Sequence, residues 1–423
     1  GDPLVRTAVQ RTTCAGEFAE RLTQAELAQL GFGVGTTLYA QVVYRDPAQQ
    51  GTRTRSSEII VDCSIDFIER HRDEPFLLNV WLNDTHATLD PDEKQLEPYE
   101  HLMPQGLKGK HAGANAIYFA VVTEADRQIG RLLARLDELG LAENTIVIFT
   151  ADNGPEDICI RNASHSGVGS PGPFRGRKRS LYEGGVRVPF LLRWPKGNAA
   201  RGAVDDETPL CAVDLFPTFC ALAGIELPDD LSLDGEDMSD VFCGRSRPRT
   251  TPLMWEWRFH VYGHTLNRSP MLAIRRGNWK LLLNPNRDRV ELYDILADPG
   301  QEHDVAAQHP EVVSELRAGY ETWWEVVSEQ FDGTIPIPVG QEPGVCALLN
   351  AHDWRNDPVE CAWNQCLVRA GMACNGYWEV DVRATGTYRF ELRRWPRVED
   401  RAIRDGIPGE LVRYYDLRDD YGG

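Results

Sequence analysis

The chain has 423 residues, 42% of them hydrophobic and 26% charged, and a formal net charge of −19. That length allows two or three domains and a large core, and the acidic balance argues against the net basic face of a nucleic-acid binder. No apolar run approaches the roughly 18–20 residues of a membrane span, so none is expected.

Residues 1–55 give weak signals: Gly16 to Leu30 reads as one helix and Gly31-Phe-Gly-Val-Gly35 as a loop. From Ser56 and Ser57, either of which suits an N-cap, a helix is predicted to about Arg72 with Ile60, Cys63, Phe67 and Ile68 inward. Pro75 to Leu82 reads as a buried strand that ends in the loop Asn83-Asp-Thr-His86. Ala112 to Leu139 repeats Ile117, Val121, Ala125, Ile129, Leu132 and Leu136 at helical spacing, and Gly140 closes it as a C-cap residue. Thr145 to Ala151 is β-branched and uncharged, the pattern of a buried parallel strand. A strand at Val188–Trp194 and a helix at Val213–Ala223, stopped by Gly224, continue the alternation and predict a parallel α/β core.

The pattern changes near residue 250. Leu272–Arg275, Trp279–Leu283 and Val290–Tyr293 read as short strands of an antiparallel meander, covered by a helix from Glu311 to Gln330. A Pro- and Gly-rich linker, 333–340, leads to Trp354, Trp363, Trp378 and Trp395 among strand-like runs at Tyr377–Val382 and Thr387–Leu392. The expected division is therefore 1–250 as an α/β core, 251–332 as an antiparallel sheet with a helix, and 341–423 as an accessory β-rich module. Of ten cysteines, Cys346, Cys361, Cys366 and Cys374 fall within 29 residues. They suit a disulfide set or a zinc site, although no Cys-x-x-Cys or His spacing supports zinc.

Chemistry concentrates after the 145–151 strand. Asp152 and Asn153 sit just past its end, where open α/β sheets bind ligands. Two adjacent hard oxygen donors suit Ca²⁺ or Mg²⁺, although such a pair also commonly forms an Asx turn. From Arg175 to Arg193 there are six cations (Arg175, Arg177, Lys178, Arg179, Arg187, Arg193) against one acid, Glu183. In so acidic a chain, this reversal of sign predicts an anion pocket. If 175–179 were extended, alternation would turn the three arginines one way and Lys178 the other.

These segments resemble the sulfatases of the alkaline-phosphatase-like superfamily. The resemblance rests on Asp152-Asn-Gly, Arg175-Gly-Arg-Lys-Arg and Tyr182-Glu-Gly-Gly-Val-Arg-Val-Pro189. It extends to Asn83-Asp-Thr-His86, Val122–Gly130, Arg275–Leu281 and Glu291–Gly300, covering about residues 55 to 325 in the family's order. It implies an α/β, alkaline-phosphatase-like mixed or parallel sheet flanked by helices, with a smaller antiparallel C-terminal subdomain. It also implies a sulfuric ester hydrolase acting on a small anionic sulfate ester or sulfated saccharide.

Carried over residue by residue, it makes Asp152 and Asn153 ligands of Ca²⁺ (or Mg²⁺). His86 would contact the sulfate group and assist the leaving oxygen, and Lys178 would contact a sulfate oxygen. Apart from the resemblance, Arg175 and Arg177 are expected to pair with carboxylates or to rim the substrate pocket, and His165 to be a solvated loop residue or to touch the part of the substrate beyond the sulfate. Trp255, Trp257, His260 and His264 suit a sugar subsite or, for the tryptophans, simple packing.

The family's Cys-x-Pro-Ser-Arg or Cys-x-Ala-x-Arg motif, source of the formylglycine nucleophile, does not occur: Cys14 is followed by Ala-Gly-Glu and Cys63 by Ser-Ile-Asp. The family's paired N-terminal aspartates and Gly-Lys-Trp-His segment do not occur either. The chain is therefore expected to lack the family's N-terminal third, with formylglycine in the missing part, and to be inactive alone. Export to the periplasm or outside the cell is the expected location. The alternatives are a phosphodiesterase or phosphonate monoester hydrolase of the same superfamily, and a non-catalytic carbohydrate-binding protein.

Overall fold

A computed structural model of the chain describes residues 38–42 (backbone), 56–86, 89–106, 112–159, 165–197, 201–258, 265–329, 331, 333–341, 346–350, 353–355, 365–395, 400–406 and 408. The helix expected at 16–30, His260, His264 and Trp363 lie outside the described residues. The chain divides into two compact units, one of residues 1–45 with 51–321, the other of 46–50 with 322–423.

In the first unit β1 (Leu38–Val42) pairs in parallel with β2 (Phe76–Val80). Helix α1 (Ser56–Arg70) lies between them in sequence, and α2 (Ala114–Glu138) packs along it. The apolar stripes of both helices meet in one cluster of Phe67, Ile68, Leu136 and Ala142, which also receives Phe76 and Leu78 of β2 and Val147. Ion pairs Arg131–Asp62 (2.6 Å) and Arg135–Glu69 (2.8 Å) tie the rims; such half-exposed pairs add little beyond the apolar contact. At the end of α2, Gly140 adopts φ +71°, and the amides of Gly140 and Leu141 bond back to the carbonyls of Asp137 and Leu136. That is the C-cap geometry glycine permits.

The strand expected at 145–151 corrects one expectation. β3 (Val147–Thr150) pairs antiparallel with β4 (Phe190–Arg193), with Phe149 opposite Leu191, and those two side chains are 45% and 63% exposed. A β-branched apolar run specifies an extended chain but not the direction of its neighbour. The long 151–189 excursion brings the chain back alongside β3 in the opposite sense. Among the described residues the α/β elements thus form two separate two-stranded sheets, one parallel and one antiparallel, where a single parallel or mixed sheet was expected.

The meander is as expected but has a fourth strand. β5 (Leu253–Glu256), β6 (Leu272–Arg276), β7 (Trp279–Leu283) and β8 (Val290–Asp294) pair antiparallel in that order. Gly277, at φ +58°, and Asn278 form the two-residue β6–β7 turn. The helix Pro310–Ser328, with Leu316 and Tyr320 buried, lies over β6: a Cβ at Gly319 would meet the Ile274 side chain at 3.5 Å. This meander belongs to the same compact unit as the α/β elements.

In the second unit, β9 (Ile337–Val339) pairs with the three-residue β10 (Val380–Val382), and one helix spans Gln365–Ala370. Among the described residues an isolated Arg355–Tyr377 bridge completes the regular pairing. The described residues here are therefore not β-rich. The Thr387–Leu392 run alternates like a strand but has no ladder, and Phe390 and Leu392 are 85% and 69% exposed. Alternation makes a face; a strand also needs an edge to pair with. Trp354 and Trp378 stack with centroids 5.5 Å apart, and Cys346 and Cys374 are free thiols. Among the described residues no helix is long and apolar enough to cross a membrane.

Candidate functional site

Three backbone segments interlock beyond β3. The Gly154 amide donates to the Gly185 carbonyl at 2.9 Å, and the Gly184 amide to the Arg175 carbonyl at 2.7 Å. The Lys178 amide donates to the Pro155 carbonyl at 2.9 Å. Such approach is possible only without side chains: a Cβ on Gly154 would lie 1.9 Å from the Gly184 carbonyl oxygen, and one on Gly185 would lie 2.1 Å from the Ser180 oxygen. Glu183–Val186 is a single helical turn, α3. The hard-oxygen motif and the cation loop are thereby bonded to each other through backbone.

Within the cation loop the chain turns instead of extending, with Gly176 at φ +88° and Arg179 at φ +71°, so alternation does not sort the side chains. Arg177 donates to the carbonyls of Glu156 (2.6 Å), Gly167 (3.3 Å) and Gly169 (2.6 Å). Arg175 donates to the Tyr293 hydroxyl and the Gln301 carbonyl, each at 3.1 Å, and lies over the Tyr182 ring. Arg179 clasps both carboxylate oxygens of the buried Glu156. Both Arg175 and Arg177, expected at the pocket rim, thus spend donors on protein acceptors, and Arg177 pins the loop that carries His165. Lys178 differs. Its ammonium, 20% exposed as a side chain, has one described partner, Glu156, at 3.8 Å. That is ion-pair range and too long for a hydrogen bond, so its N–H donors are uncommitted among the described residues.

Asp152 is exposed and Asn153 half-buried. The Asn153 amide nitrogen donates to the Gly154 carbonyl at 2.8 Å, which leaves its oxygen as an acceptor. The pair fits Ca²⁺ or Mg²⁺ in kind but supplies two of the six to eight oxygens Ca²⁺ takes. No group of three or more His, Cys, Asp or Glu able to hold a metal occurs among the described residues.

His86 is exposed on the loop after β2, its amide bonded to the Asn83 carbonyl at 3.2 Å. Thr85, just before it, is at φ +75°, a strained value for a β-branched residue. His165, half-buried at φ +69°, opens the short turn Ser166–Val168. Both loops rest on α2: Gly169 lies against the Tyr118 hydroxyl, and Asp84 near Glu124.

Asp84 is a residue that sequence reasoning passed over. Its Oδ2 is buried with no hydrogen-bond partner among the described residues. Burial pushes its carboxyl up to about 6, Ser57 offsets part of this, and Glu124 adds to it. A carboxyl raised on folding costs stability as pH rises through its unfolded and then its folded value. Asp84→Asn is therefore expected to stabilise the protein by about 2 kcal/mol at pH 7.5, fading to nothing by about pH 4. Urea melts at both pH values check this, and an equal effect at the two would contradict it.

A family model described as Sulfatase matches residues 12–225, and a second, N-sulphoglucosamine sulphohydrolase, C-terminal, matches 174–322. The first spans half of the chain. The chain belongs to the sulfatase family. It is 30% identical over 282 residues to an N-acetylgalactosamine-6-O-sulfatase of Bacteroides thetaiotaomicron, covering 62% of this chain and 49% of that protein. It is 37% identical over 202 residues to the steryl-sulfatase of Mus musculus, covering 48% and 29%. The crystal structure of Ps i-CgsB in complex with k-i-k-neocarrahexaose matches with TM-score 0.52 and 26% identity, covering 63% of this chain and 54% of that one. This sulfatase-family chain thus spans about half the length or less of the curated relatives it matches, and its α/β elements share the alkaline-phosphatase-like fold of the sulfatases.

Trp255, considered for a sugar subsite, packs against the Leu181, Tyr182 and Tyr293 cluster. The Lys280 ammonium covers its ring at 5.1 Å, which is a packing role.

Proposed function

We propose that this chain carries the recognition and charge-stabilising part of a sulfuric ester hydrolase whose substrate is a sulfate monoester on a saccharide. The observation that carries the reading is Lys178. Where Arg175, Arg177 and Arg179 of the same loop donate to protein acceptors, its ammonium keeps uncommitted donors among the described residues, on a loop bonded to the Asp152 motif. A compact ammonium suits a point contact to a sulfate oxygen.

In this reading Lys178 and His86 donate to sulfate and bridging oxygens, where negative charge grows as the S–O bond breaks. Asp152 and the Asn153 oxygen contribute to holding Ca²⁺ (Mg²⁺ as substitute). When bound, the ion would polarise the sulfate. Arg177 fixes the His165 loop at the edge, and His165 contacts the part of the substrate beyond the sulfate. The saccharide class is supported by the named activity of the Bacteroides relative and the oligosaccharide of the matched structure.

No formylglycine motif occurs in these 423 residues, so the chain alone is expected not to turn over 4-nitrocatechol sulfate. Joined to a segment bearing Cys-x-Pro-Ser-Arg, it is expected to do so, and Lys178→Ala and His86→Ala should each lower kcat by about 10²–10³. Turnover by the chain alone, or unchanged rates in both variants, would contradict the assignment.

A further inference from the structure

Lys280 of β7 and Glu183 of α3 form an ion pair at 2.6 Å, with side chains 0% and 3% exposed. A buried ion pair is a poor source of stability, because desolvation offsets most of its attraction and apolar residues of equal size do as well. What an apolar pair does not supply is direction. Here direction has a use, because Glu183 is gripped at both ends. Its carboxylate is held by Lys280, and its amide donates to the Gln301 side-chain oxygen at 2.6 Å. Gln301 is fully buried, follows β8 and also accepts Arg175.

The meander therefore sets the rotation and height of the α3 turn. The next two residues of that turn carry the hydrogen bonds that matter for the site: Gly184 to the Arg175 carbonyl, and Gly185 from the Gly154 amide. From Lys280 the connection runs through Glu183 and the Gly184–Gly185 backbone to Gly154, next to Asn153, and to the loop of Lys178. The two side chains in this path, Lys280 and Glu183, are buried. We propose that Glu183 and Lys280 are positioning residues, whose buried pair fixes α3 so that the Asp152–Asn153 donors and the Lys178 ammonium stay in register. The chemical meaning of that register rests on the proposed function; the register itself does not.

Site-resolved amide hydrogen exchange on the full 423-residue chain tests this. In Glu183→Leu/Lys280→Met, which replaces the pair by apolar residues, the amides of Gly154, Lys178 and Gly184 are expected to exchange at least about tenfold faster. Those of Leu281 and Leu282 in β7 should keep their protection. Lys280→Arg, which keeps a cation opposite Glu183, should restore most of the protection at Gly154.

Unchanged exchange at Gly154 and Lys178 in a folded double variant would overturn the proposal. So would acceleration spread evenly over the meander, the mark of a merely structural pair. If the double variant does not fold, Glu183→Gln decides: faster exchange confined to Gly154, Lys178 and Gly184 supports positioning, and none refutes it. Titration of the same proteins with 4-nitrocatechol sulfate keeps the two readings apart. If wild type does not bind it, the functional reading fails while the exchange result still decides the positioning role.

Discussion

Gly154→Ala is expected to be among the most damaging single-methyl additions in this chain. The new Cβ would lie 1.9 Å from the Gly184 carbonyl oxygen, 2.9 Å from its carbon and 3.1 Å from the Gly185 Cα. All three are backbone atoms of a turn held from the other side by Gln301 and Lys280, so no rotamer change relieves the clash. Overpacking without an escape lies in the rare class of losses above about 4 kcal/mol. Gly140→Ala is the control. Gly140 has the left-handed φ of +71° but nothing within 4 Å of a Cβ, so only backbone strain of about 1–2 kcal/mol applies. Urea midpoints of the two variants measure the difference. Equal losses would mean that the 154 and 184–185 segments do not interlock as described.

Lys280→Met, with Glu183 left in place, should cost about 3–5 kcal/mol, since it strands a buried carboxylate. The pH dependence of that loss is the informative part. In the native protein burial alone would raise the Glu183 carboxyl, but Lys280, Arg275 and Arg187 outweigh it and hold the group below its ordinary value. A depressed acid adds stability at neutral pH and loses it as pH falls through the unfolded and then the folded value. Without Lys280 the burial term gains weight, the carboxyl rises, and the sign reverses: the variant then gains stability on acidification. Denaturation of both proteins at pH 5 and pH 8 should therefore show a smaller gap at pH 5. A constant gap would show that Glu183 is not the group responsible.

Much of the helical framework was legible because it is written locally. The apolar spacing of α1 and α2 placed both within about two residues of the observed ends, and Gly140 and Gly224 stop helices as C-cap glycines do, at φ +71° and +69°. The meander was legible because Gly277-Asn278 imposes a turn between apolar runs. Strand direction was not, since Val147–Thr150 would read the same in a parallel or an antiparallel pair. In the candidate site, the residue types at 152–153 and 175–179 pointed to cation and anion chemistry. Which cation keeps free donors was not legible, because it depends on acceptors far along the chain, such as Tyr293 and Gln301 for Arg175. The same holds for Gly154 against Gly184: close backbone approach between distant segments leaves no periodic trace. Asp84 escaped notice because burial, not sequence context, is what sets it apart.

In the proposed function, Lys178 and the Asp152–Asn153 pair form one site for a sulfate ester. Calorimetric titration of the 423-residue chain with N-acetylgalactosamine 6-sulfate, with and without Ca²⁺, tests it most directly. Binding is expected to strengthen with Ca²⁺ and to weaken about tenfold or more in Lys178→Ala, as loss of a charge-assisted contact requires. Asp152→Asn should remove the Ca²⁺ dependence, and unsulfated N-acetylgalactosamine should bind no better to wild type than to Lys178→Ala. Sulfate-independent binding that neither substitution changes would contradict a shared Lys178 and Asp152–Asn153 site.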